Sequence, residues 1–125
     1  MREIVDKLQK LELEIAREKG PLRLFALFQR QGGFGLWDVV VSAPWADKNE
    51  AAAIKYVAKK MRKALRPKDM ERISCIAIVV RKNPGLDELQ RRVQVKHGLV
   101  EIQNVSFFEK SIEHAYIITS QKRAA

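Results

Sequence analysis

Apolar side chains return at Ile4, Leu8, Leu11 and Ile15, steps of four and three that line one stripe of a helix. With Gly20 as a C-terminal stop, the spacing predicts an N-terminal amphipathic helix over 1–20. The pattern then changes. "LRLFALFQR" and "LWDVVVSA" read as two strands around the glycine-rich turn "QGGFG", a β-hairpin with a five-residue loop. Asp47 and Glu50 read as an acidic cap with a carboxylate three residues on, opening a long helix that runs to Pro67. "ISCIAIVV" is a strand apolar on both faces, a pattern expected of a central strand covered from both sides. Asn83 and Pro84 cap and start a shorter helix with Leu86, Leu89 and Val93 inward. "GLVEIQNVSFF" and "IEHAYIITS" read as a second strand pair, and 120–125 as a loose tail.

The order αββαβαββ predicts one domain over 1–125 of α+β or α/β class, a five-stranded mixed sheet with helices packed on it. Strand-helix-strand units imply parallel neighbours and the short connections imply antiparallel ones. Three helices can cover such a sheet, or two helices with a partner subunit on the remaining face.

The hairpin register frames the first chemical question. If Arg30 pairs with Leu36, Asp38 lies opposite Phe28 with Arg30 as its diagonal neighbour. A charge pair is then the structural reading of this lone strand carboxylate. A metal-binding or general-base role is the alternative, with Glu101 as the best second acid. His97 and His114 invite an acid-base pair, but in a hairpin turning near 108–110 they fall about five residues apart along the strands. At ~3.3 Å per residue that is roughly 17 Å, too far for one substrate bond. Gly32, Gly33 and Gly35 lie between strands and not before a helix, so a turn needing positive φ accounts for them better than a phosphate loop. No metal-ligand cluster or cofactor signature is present, and neither a catalytic nor a metal residue is assigned. Cys75, the single cysteine, excludes an intramolecular disulfide, reads as a core thiol and suits a reducing compartment. Charges from the second residue onward, with no long apolar run, predict a cytoplasmic protein without membrane contact.

Charge changes the picture most. The net value is +9 at pH 7. Residues 46–72 carry 9 basic against 4 acidic side chains, whereas 1–20 and 98–125 balance. On the long helix Ile54, Val57, Ala58, Met61 and Leu65 form an apolar stripe. Lys48, Lys55, Lys59, Arg62 and Arg66 form a basic stripe about 110° away, extending roughly 27 Å. Lys60, Lys63, Lys68 and Arg72 add charge, and Arg91 and Arg92 would join if the shorter helix packs on the same side. Such a row either keeps the chain soluble or tracks a phosphate backbone. The seam of the first helix either packs on the sheet or pairs with its copy in a homodimer, to which Phe34, Trp37 and Trp45 would add apolar surface.

"WDVVVSAPW", "HGLVEI" and "HAYII" together resemble an uncharacterised family of small bacterial proteins, across most of the chain after the first helix. The resemblance implies a bacterial, cytoplasmic setting and carries no residue role. The expectation is a non-catalytic binding or interaction protein, homodimeric or acting on nucleic acid through its basic helix. The alternative is a small nuclease or other phosphodiester-processing enzyme using Asp38, Glu101 or the histidines.

Overall fold

Ile4, Leu8, Leu11 and Ile15 are buried along helix α1 (Arg2–Lys19). Gly20 ends it at φ 105°, a conformation that costs an L side chain strain, with its N–H on the Ala16 carbonyl. The structure, a computed structural model, describes residues 1–122. Strands β1 (Leu24–Arg30) and β2 (Trp37–Ser42) form the expected hairpin, with Phe28 opposite Asp38. The turn requires positive φ at Gly32 (77°) and Gly35 (75°).

The helical stretch expected to open at Asp47 is three pieces: α2 (Pro44–Lys48), α3 (Glu50–Ala64) and α4 (Pro67–Met70). Asn49 separates the first two in an extended conformation, and its side-chain oxygen accepts the Ala52 N–H at 3.0 Å. Asn49, not Asp47, therefore caps the long helix, satisfying one of its orphan donors. The Asp47 carboxylate instead accepts from the buried Arg23 guanidinium.

Strands β3 (Ile73–Ile78), β4 (Val100–Phe107) and β5 (Lys110–Ser120) complete one mixed sheet in the order β3-β2-β1-β5-β4. Only β2 and β3 are parallel. The crossover through α3 yields parallel neighbours as expected. The one through α5 (Pro84–Arg92) does not, because it carries the chain from one sheet edge to the other. Strand β3 is correspondingly an edge strand and not a central one. One of its faces lies under α3, but Cys75 on the other is exposed, so it is no core thiol.

Each face of the sheet has its own core. Leu27, Val39, Val41, Tyr116 and Ile118 pack under α1 and α3. Ala26, Phe28, Val40, Ala115 and Ile117 face the other way, toward Leu86, Leu89 and Val93 of the α5 segment. Ser120 is buried, and Gln121 donates to the carbonyls of Leu22 and Arg23. The chain is thus tied in two residues into the stretch expected as a loose tail, whose last residues, 123–125, lie outside the described ones. Among the described residues, no helix is long and apolar enough to cross a membrane.

Candidate functional site

Helix α3 buries Ala53, Val57 and Met61, and Ile54, expected on the inward stripe, is 37% exposed. Packing rotates the helix so that Ala53 and not Ile54 meets the core. By 100° per residue the outward direction then falls about 170° from the buried line, and Lys55, Lys59 and Arg62 occupy it. All three are exposed, with Lys63 beside them. Among the described residues the ion pairs of α3 involve Lys60 alone, which sits between Glu14 and Glu18 of α1. Glu14 first, then Glu18, push the Lys60 pKa up. Tyr56 also donates to Glu18 and is pushed up to about 12, by burial first and that hydrogen bond second.

The two ends of the expected stripe do not belong to it. Lys48 lies on α2, before the break at Asn49. Arg66 lies past the end of α3, where its guanidinium meets Asp69 and Glu3, each at 3.3 Å. The aligned row therefore runs from Lys55 to Arg62, about 10 Å of helix. Arg91 and Arg92 do not join it, because α5 packs on the opposite face.

Of the four groups considered for chemistry, Glu101 and His114 meet, while Asp38 and His97 are each bonded elsewhere. Asp38 is 7% exposed, holds Arg30 Nε at 2.7 Å and accepts from the Cys75 thiol at 3.3 Å. Burial first, then Asp38, push the Cys75 pKa up, away from the thiolate that nucleophilic chemistry needs. Glu101 stands three strands from β2, ~14 Å at ordinary strand spacing, beside Tyr116 and hence on the opposite face. It binds His114 Nε2 at 2.6 Å, and the His114 ring lies 4.6 Å from that of Tyr116. His97 Nδ1 bonds Glu12 at 2.7 Å, near the level of Thr119, whose hydroxyl donates to the same carboxylate at 3.0 Å. Each group thus has a local partner. No three of the described histidine, cysteine, aspartate and glutamate residues are grouped to hold a metal ion.

Glu12 is the polar residue that strand and loop reasoning missed. It is fully buried, and the signal was present: it follows Leu8 by four residues, on the inward stripe of α1.

Compared with protein-family models, with curated proteins and with solved structures, the chain matches none. The resemblance to a small bacterial family therefore gains no support from a matched family, and the site rests on geometry and charge.

Proposed function

We propose that this is a non-catalytic cytoplasmic binding protein that holds a nucleic acid by its phosphate backbone against the outward face of α3. The observation that carries the reading is the row Lys55, Lys59 and Arg62, aligned to solvent with no carboxylate partner among the described residues. Lysine and arginine in such a row gain by displacing counterions condensed on a polyanion, a sequence-independent term that steers and holds the partner. Asp38 and His97 are bonded away from the Glu101–His114 pair, and among the described residues no third histidine, cysteine, aspartate or glutamate groups with that pair to hold a metal ion, which supports binding over phosphodiester cleavage.

The test is fluorescence anisotropy with labelled single- and double-stranded oligonucleotides over a salt series. Three phosphate contacts predict a slope of about −3 for log affinity against log salt on duplex DNA. Combining Lys55→Glu, Lys59→Glu and Arg62→Glu removes that slope and most of the affinity. Absence of binding at low salt, or a triple variant that binds like the parent, overturns the reading.

One observation favours self-association as a second reading. Val79 N–H donates to Val41, so the alternation of a parallel ladder aims the backbone groups of Ile76 and Ile78 at the free edge of β3. A second copy added there makes a homodimer. Light scattering at rising concentration reads it directly, and a constant monomer mass excludes it.

A further inference from the structure

We propose that the cavity on the α5 side of the sheet is a binding site for a small amphipathic anion, an aromatic or other apolar body carrying one carboxylate or sulfonate. Helix α5 covers only part of this face. Beside it, β1, β2 and β3 together with the β4–β5 turn enclose about 370 Å³, lined by Phe28, Val40, Cys75, Ala77, Phe107 and Phe108 among others. That volume falls within the ~300–1,000 Å³ of ordinary small-molecule sites, and the lining is mostly apolar with a few polar groups, as in such sites.

Charge selects the ligand. Arg30 and Lys110 line the cavity and also a depression along the hairpin loop, so they stand at the mouth between the two. Asp38 is the one acid in the lining, and Arg30 Nε and the Cys75 thiol already bind it. The lining therefore carries one positive charge in excess. Lys110 has no carboxylate partner among the described residues, and a guanidinium has donors beyond the Nε spent on Asp38. An anionic group at the mouth takes charge-assisted hydrogen bonds from both cations while the apolar body displaces water from the aromatic rings. A cationic ligand would be repelled, and a purely apolar one would desolvate the two cations without compensation.

This site is independent of the α3 row, which lies on the other face. It also contains its own reporter, since Cys75 is the only cysteine. The probe is anilinonaphthalene sulfonate, an aromatic body with one sulfonate, titrated into the folded protein and followed by fluorescence. We expect saturation at one site per chain, affinity about tenfold lower in Lys110→Glu, and loss of binding in Ala77→Trp, which fills the cavity. Saturating probe should slow alkylation of Cys75 by iodoacetamide in proportion to occupancy. The neutral analogue N-phenylnaphthylamine should bind more weakly than the sulfonate. Both variants must keep the cooperative thermal transition of the parent, because loosely packed states bind such probes nonspecifically. Lys110 is exposed, so its variant remains informative if Ala77→Trp fails to fold. Unchanged affinity in folded Lys110→Glu, alkylation unaffected by saturating probe, or tighter binding of the neutral analogue overturns the proposal.

Discussion

Asp69, on the short helix α4, is a buried carboxylate held by cationic and backbone donors. It is 5% exposed and accepts from the Arg66 backbone N–H at 3.2 Å, from the Arg66 guanidinium at 3.3 Å and from Lys7 at 3.4 Å. The Arg66 guanidinium, more than the backbone or Lys7, holds its pKa down at about 2. A carboxylate depressed on folding contributes stability above its ordinary pKa of about 3.9 and loses that contribution as pH falls toward the folded value. Arg66→Ala should therefore raise the Asp69 midpoint toward the ordinary range, as read by NMR titration of its carboxyl carbon. The same variant should unfold in acid at a higher pH than the parent. Asp38 makes a complementary point. Its partner was legible from strand alternation and loop length alone, because cross-strand diagonals follow from register. The fate of Glu12 was not, since its hydrogen bonds join α1 to residues 85 and 107 positions away.

Among the elements, α3 shows how a cap and a packing angle divide between local and distant causes. Asn49 stands three residues before the N–H it accepts, a local arrangement worth about 1 kcal/mol. Asn49→Ala should lower the unfolding free energy by that amount in urea, with the slope unchanged. Asp47 was the more prominent candidate in the sequence, but Pro44 starts a separate turn that ends before Asn49. The rotation that buries Ala53 and exposes Ile54 has a different origin. It is set by where β3 and α1 offer contacts to the helix, and periodicity over fifteen residues admits either stripe. Strand β3 repeats the lesson: apolarity on both faces reflects α3 on one side and the cavity on the other, not a central place in the sheet.

Across the whole molecule the +9 charge is divided by the sheet. Lys55, Lys59 and Arg62 face away from α5, while Arg92 on α5 lies 5.2 Å from the Phe107 ring. At physiological salt the screening length is about 8 Å, shorter than the stack of helix, sheet and helix between the two surfaces. Combining Arg91→Glu with Arg92→Glu should accordingly leave oligonucleotide affinity within about threefold of the parent, against near-complete loss in the α3 triple variant. The same anisotropy assay at 0.15 M salt decides between a local contact and a general effect of net charge.

Element order, the glycine turn, the Asn83 cap and the Arg30–Asp38 pair were determined by the sequence itself. Each depends on side-chain period, capping or turn chemistry within a few residues or across one hairpin. Tertiary structure alone decided that β3 is an edge, that Cys75 is accessible and that α3 and α5 lie on opposite faces. It also decided that His97 and Thr119 are the groups that meet the Glu12 carboxylate. Those outcomes depend on which strands pair and which faces remain uncovered, a competition among distant apolar surfaces that no local window of sequence contains.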